Sequence, residues 1–403
     1  MELRNWAANL AFRAGEIHRP TSLSELQRLI AGASRIHALG SGHSFSHVAD
    51  SPGDLVALDG MPYEVDVDMA AGSVRVGAGV TYARLAPELH RHGFALANLA
   101  SLAHISIGGS VATATHGSGD ANQCLSAAVS AIDLVTYDGS LVSLQRRDPD
   151  FPGAVVALGA LGVVTTLTLD LVPAFELHQY VREGLEPGFD PAEIMSTGYS
   201  VSLFTDWSST HVWLKRHTEL TDDGWYGTRP ATRQAHPVPG MPADGCTGQL
   251  GEPGPWHERL PHFRHDFPPS SAGDELQSEF LLPREHAAEA ITRLRAVRDR
   301  LAPVLQISEV RTVAADELWL SPFRGRDSVA IHFTWVRDTA AVLPVIGLVE
   351  DVLAPLEPRP HWGKLFTRLP ACPEEFRELA GRYDPAGKFG NDFLRAYLTV
   401  DDR

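Results

Sequence analysis

The chain has 403 residues, 44% of them hydrophobic and 21% charged, with a formal net charge of −16 at pH 7. Such a chain can bury a large core in two domains, and its composition excludes intrinsic disorder. The acidic balance argues against nucleic acid and anionic membrane surfaces as partners, and any bound diphosphate must be neutralised locally.

Residues 1–12 mix Glu2, Arg4 and Asn5 with a tryptophan and lack the apolar core of a signal peptide. No later stretch approaches eighteen uninterrupted apolar residues, so the expectation is a soluble cytoplasmic protein. Ser22-x-x-Glu25 is a capping box followed by Leu23, Leu26, Leu29 and Ile30 at helical spacing. A short strand over 36–39 then enters the loop Gly40-Ser41-Gly42-His43-Ser44. Glycines let backbone N–H groups converge on an anion, so this loop reads as a phosphate cradle that carries one imidazole. Strands are expected at 65–68 and 73–77, and a helix over 81–92 ended by Gly93. A second glycine- and hydroxyl-rich loop runs from Ser101 through His104, Ser106, Gly109, Thr113, Ala114, Thr115 and His116 to Gly117. Two such loops suggest one large phosphate-bearing cofactor held between them.

Further on, Asp138-Gly139 between apolar runs is the strongest hairpin signal. A short helix over 151–158 stops at Gly159, and 163–171 is a β-branched strand. Near Pro173 the texture changes. Strand-like pieces at 201–206 and 211–215 precede a loop-rich stretch, 236–273, that contains eight prolines including Pro237, Pro255 and Pro269. Two strand–helix units follow: a helix over 285–300 with a strand over 306–313, and a strand over 329–335 with a helix over 339–353. The last thirty or so residues return to the first domain.

Several motifs are missing. Phe45 occupies the place of the third glycine of G-x-G-x-x-G, and Gly363-Lys364 and Gly387-Lys388 lack the rest of a phosphate-binding P-loop. No H-E-x-x-H or G-x-S-x-G occurs, and His257, His262 and His265 lack zinc-ligand spacing. Cys124, Cys246 and Cys372 form no C-x-x-C pair, so neither a disulfide framework nor a metal site is expected. The positive signal lies in the C-terminal half. Glu309-Val310-Arg311 and His332-Phe333-Thr334 each place two polar groups on one face of a strand. If the strands are neighbours, the four groups share the floor of a pocket, to which His361-Trp362-Gly363-Lys364 adds an ammonium. An exposed sheet face with an ordinary Glu–Arg pair explains the same pattern.

The glycine–histidine loop, the 106–117 loop and His361-Trp362-Gly363-Lys364 resemble the vanillyl-alcohol-oxidase type of FAD flavoprotein. Within it the chain resembles the alditol (xylitol/sorbitol) oxidases essentially end to end, including Asn5-Trp6, Ala100-Ser101-Leu102, residues 199–207, 236–242, 255–264 and 309–316. The resemblance implies an α+β, two-domain FAD-binding (PCMH-type) flavoprotein. Its FAD domain comes from 1–174 plus the returning segment 371–403, with an inserted α+β substrate (cap) domain over 175–370.

It also implies FAD bonded covalently through His43. The cofactor is lined by Ser41, Gly42, Ser44, Ser101, Ser106, Gly109, Thr113, Ala114, Thr115, His116 and Gly117, with Val163 at the adenine end and His361 at the isoalloxazine. Ser101, Glu309, Arg311, Thr334 and Lys364 are implied at the substrate. Arg311 and Lys364 would stabilise developing negative charge, and Lys364, Glu309 or His332 would help to accept the hydroxyl proton. Ala100 is implied as the small residue that opens a path for oxygen. The expected activity is oxidation of an alditol's terminal alcohol to the aldose with release of peroxide, by a monomer whose partners are a small polyol and O2. A sugar aldonolactone oxidase or dehydrogenase is the near alternative, and a non-catalytic flavin- or carbohydrate-binding protein the distant one.

Overall fold

A computed structural model of the chain describes residues 3–268 and 274–401; Pro269 and the end of the proline-rich stretch lie outside the described residues. Three sheets carry the fold. Ile17–His18, Asp54–Ala57 and Ile36–Leu39 form a small parallel sheet with Asp54–Ala57 in the middle. A five-stranded antiparallel sheet has the order Val65–Asp68, Ser73–Gly77, Val163–Asp170, Val129–Val135, Leu141–Gln145. The Asp138-Gly139 turn closes the hairpin between its last two strands, with Gly139 at φ +87°.

The helix Leu23–Gly32 begins where Ser22 accepts from the Glu25 amide at 3.3 Å. The Glu25 carboxylate caps the amide and hydroxyl of Thr21 rather than reaching back to Ser22, so only half of a capping box forms. Tyr82–Arg91 is the next long helix, and Gly93 follows it at φ +79°.

The nine-stranded sheet positions the site. Its path is Arg229–Pro230, Glu176–Glu183, Thr210–Arg216, Ser200–Thr205, Leu305–Val313, Ser328–Val336, Glu275–Pro283 and Arg359–Pro360, with Leu250–Pro255 also paired to Glu176–Glu183. The two expected strand–helix units are not parallel crossovers, because Leu305–Val313 and Ser328–Val336 pair antiparallel.

Alternation along three central strands gives the sheet two unlike faces. Val310, Ile331, Phe333, Trp335, Leu276, Phe280 and Leu282 pack with helices Ala287–Ala296 and Thr339–Leu353 in one buried core. The interleaved residues Glu309, Arg311, His332, Thr334, Gln277 and Glu279 face the other way and line a cavity or pair across it. Registration aligns Phe204, Glu309, His332 and Glu279 in one row across four strands.

The helix expected over 285–300 is interrupted. Val297, at φ −109° and ψ 8°, separates Ala287–Ala296 from Arg298–Leu301. Among the described residues, Thr339–Leu356 is long and apolar enough to cross a membrane by length and composition, with a mean hydropathy of 1.7. Its Val342, Ile346, Val349 and Leu353 are fully buried in the core against the sheet, and its Glu350 carboxylate accepts from the Thr367 amide. At the C-terminal end, Phe389 packs with Leu26, Ile36 and Val163. The Lys388 ammonium donates to the carbonyls of Ile30 and Tyr137, and the Asn391 amide to those of Val48 and Asp50.

Candidate active site

One elongated cavity of about 480 Å³ runs from the small parallel sheet, past both glycine loops, to the polar face of the nine-stranded sheet. The two loops touch. A Cβ at Gly40 would meet Ser106 Oγ at 2.8 Å and Gly109 Cα at 3.3 Å, so only glycine lets the backbones close. Across that contact the Ser106 amide donates to Ser41 Oγ at 2.8 Å. His43 stacks on Trp6 with ring centroids 5.3 Å apart, and burial lowers its pKa to about 4, so the imidazole is neutral.

Of the residues the sequence assigned to the cofactor, Ser41, Gly42, His43, Ser44, Ser101, Ser106, Gly109, Thr113, Thr115, His116 and His361 line the cavity, and so does Ala100. Ala114, Gly117 and Val163 do not. Ala114 is fully buried at φ +54° and shapes the turn. Gly117 lies against Asn98 and Leu99, where a Cβ would come within 2.1 Å of Asn98 Oδ1. Val163 pairs with Val135 and turns its side chain into the apolar core, while Gly162 and Val164 line the cavity in its place.

At the far end Glu309, Arg311, His332, Thr334 and Lys364 converge, as the strand reading expects for the first four. What ties them together is a residue that reading missed. The Glu279 carboxylate accepts from Arg311 Nη2 at 3.1 Å and from the Lys364 ammonium, and lies 3.3 Å from His116 Nε2. Burial alone raises the Glu279 pKa, but Lys364, His116 and Arg311 outweigh it and hold the carboxyl well below its usual range. Glu309 behaves alike, with burial overcome by Arg311 and His262. The polar run Glu275-x-Gln277-x-Glu279, alternating with Leu276, Ser278 and Phe280, was the available signal.

Lys364 donates to His332 Nδ1 at 2.8 Å. An ammonium has only donors, so neutral His332 carries its proton on Nε2 and offers it to Thr334 Oγ1 at 3.1 Å. Burial and Lys364 together lower the His332 pKa to about 3. Both ring nitrogens are thus engaged, Nδ1 by Lys364 and Nε2 by Thr334.

His262, which the sequence left in a proline-rich loop, enters the site. Its amide donates to the Ser101 carbonyl at 3.1 Å, and its Nε2 lies 2.8 Å from Glu309 Oε1. His257 and His265 instead meet each other ring to ring, with centroids 6.5 Å apart. His116, Glu279 and His361 could between them hold a metal ion, but Glu279 already serves Arg311 and Lys364.

Comparison with known proteins decides the family. Residues 16–145 match the FAD binding domain family, and residues 274–397 the D-arabinono-1,4-lactone oxidase family. The chain is 54% identical over 410 residues to an alditol oxidase of Streptomyces sp., covering 98% of each. It belongs to the alditol oxidase family of FAD-binding oxidoreductases. More distant relatives include the L-gulono-1,4-lactone dehydrogenase of Mycobacterium tuberculosis, 30% identical with 98% of each chain covered, and the L-gulonolactone oxidase of Bos taurus, 25% identical. In fold, the chain superimposes on a solvent-stable cholesterol oxidase with a TM-score of 0.80 at 14% identity, covering 98% of this chain and 97% of that one. The two-domain α+β flavoprotein fold expected from the sequence is thus the fold of the chain.

The residues present fit FAD. Gly40 and Gly109 let the two loops touch, Gly42 beside them opens onto the cavity with free space where a Cβ would stand, and Ser106 Oγ is buried there without a partner among the described residues. A cavity that leads from these loops to buried cations suits a dinucleotide with its reactive end at the cations.

Proposed function

We propose that the protein oxidises the terminal primary alcohol of alditols such as xylitol and sorbitol to the aldose and reduces O2 to hydrogen peroxide. The observation that supports this most directly is the buried Glu309–Arg311–Glu279–Lys364 cluster at the end of the cavity. A linear polyol presents a row of hydroxyls, each both donor and acceptor, and needs carboxylate and cationic partners together. Glu309 Oε1 is taken by His262, which leaves Oε2 for substrate hydroxyls. Arg311 reaches Ser101 Oγ from Nη1 at 3.4 Å, so guanidinium and hydroxyl together hold the reacting end.

Bound FAD would supply the acceptor for the alcohol's hydride and the route by which the electron pair reaches oxygen. Ser41, Gly42, Ser44, Ser106, Gly109, Thr113 and Thr115 would hold it, and His43, neutral and at the cavity wall, is the residue for a covalent link. Arg311 and Lys364 stabilise the negative charge that develops as the hydroxyl proton leaves. In a closed site such donors contribute several kcal/mol, of the order of 3 each. Burial lowers the Lys364 pKa, and Glu279 offsets that shift in part. Ala100 keeps the wall small where oxygen would approach.

The match of residues 274–397 to a lactone oxidase family favours a second reading, an aldonolactone oxidase or dehydrogenase. Anaerobic mixing separates the two. Xylitol or sorbitol should bleach the flavin absorbance within seconds while a lactone leaves it unchanged, and the reverse pattern would overturn the alditol reading.

A further inference from the structure

A lysine lies buried behind the site with no carboxylate of its own. Lys215, on the strand Thr210–Arg216, is 1% exposed and makes no ion pair among the described residues. Its ammonium donates to the Leu260 carbonyl and lies 3.4 Å from His262 Nδ1. On its other side His262 places Nε2 2.8 Å from Glu309 Oε1. All three side chains are buried, on two strands of the nine-stranded sheet and the loop that crosses its polar face. The charged and titratable groups that face Lys215 are His262, Glu309 and Arg311.

A buried ammonium is retained only where something needs its charge or its donors. Here, among the described residues, the side chain it addresses is the imidazole that holds Glu309. We propose that Lys215 and His262 are positioning residues that lock Glu309 as the acceptor for the polyol. The ammonium occupies Nδ1 as a donor, so the imidazole proton must sit on Nε2, aimed at Glu309 Oε1. That fixes the carboxylate's rotamer and leaves Oε2 turned to the cavity. Lys215 lies off the cavity lining, and His262 meets the site at its Glu309 end, so their effect falls on substrate capture rather than on the chemical step. This inference rests on the alditol reading above.

A pH dependence follows. Burial lowers the Lys215 pKa to about 7; Glu309 opposes the shift and Arg311 adds to it. Below that pH the ammonium enforces one tautomer. Above it the neutral amine accepts a hydrogen bond from Nδ1–H, a competing tautomer that withdraws the donor from Glu309. His262 itself stays neutral throughout, because burial and Lys215 lower its pKa to about 4.

The test is steady-state kinetics with xylitol from pH 6 to 9 on the native holoenzyme and on K215M, H262Q and H262L. In the native enzyme KM should rise above pH 7 with kcat little changed. K215M should show KM raised about tenfold at pH 6, the cost of a weakened charge-assisted bond, and no further rise with pH. H262Q keeps an N–H for Glu309 and should stay near the native KM at pH 6 without the rise at high pH, whereas H262L should resemble K215M. A native KM and native pH profile in K215M would overturn the inference, as would H262Q impaired as badly as H262L. If K215M fails to fold, the two His262 variants and the native profile decide, and a flat native KM from pH 6 to 9 is the contrary result. Absence of xylitol turnover in the native enzyme would instead sink the alditol reading itself.

Discussion

Arg311 donates from Nη2 to the Glu279 carboxylate at 3.1 Å, with both side chains buried. The same carboxylate receives the Lys364 ammonium, so it bridges the two cations at the reacting end of the cavity. Removing it takes away the carboxylate that Lys364 meets and leaves Arg311 with Glu309 alone. Glu279→Gln should destabilise the fold by about 3–5 kcal/mol and lower activity at least tenfold. Thermal melting together with initial rates checks this; an unchanged melting temperature would show that Glu279 is not the counter-charge.

Arg311→Ala should separate chemistry from cofactor binding. Its guanidinium meets Glu279 and Glu309 at the cavity end and Ser101 at the near end of the second loop, and it makes no contact with the Gly40–Ser44 loop among the described residues. Turnover should fall about 10²- to 10³-fold, the usual effect of losing one such donor, with the yellow flavin spectrum retained. A variant that keeps its kcat would remove Arg311 from the mechanism.

Much of this site was legible in the sequence because it obeys the period of a strand. Glu309/Arg311 and His332/Thr334 alternate with Val310 and Phe333, and the sheet makes them neighbours with Glu309 opposite His332. Glu279 sits on an equally periodic strand, yet reads as surface when its neighbours are unknown. Lys215 stands one residue from the end of its strand, where a lysine is ordinarily solvated. His262 depends on a long loop's route, held by Ser101, Thr247 and Glu309, which no local pattern encodes. The helix break at Val297 was likewise invisible, because alanines and arginines on both sides favour helix.

Covalent attachment through His43 has its own signature. Acid-precipitated native protein should stay yellow after washing, and His43→Ala should release its flavin to the supernatant. The cavity is lined largely by other residues, so the variant should still bind FAD reversibly. A colourless native pellet would contradict the link.

The buried histidines make the fold sensitive to acid. His43 and His262 titrate at about 4 and His332 at about 3 in the folded chain, against about 6.5 when unfolded. The unfolded state therefore binds more protons as pH falls below 6.5, and stability is lost from there down to about pH 4. Glu279 and Glu309, held below the usual carboxylate range, add a further loss below about pH 4.3. Melting temperature should decline steadily from pH 6.5 to 5. A flat profile across that interval would contradict the burial of these imidazoles.

The most direct measurement is peroxide release by the purified protein in air, with xylitol, sorbitol, mannitol, glycerol, glucose and galactono-lactone side by side. The account predicts one peroxide per polyol oxidised, an aldose as product, and little signal from the sugar or the lactone. Peroxide from the lactone alone, or no peroxide from any polyol while the flavin is present, would contradict it.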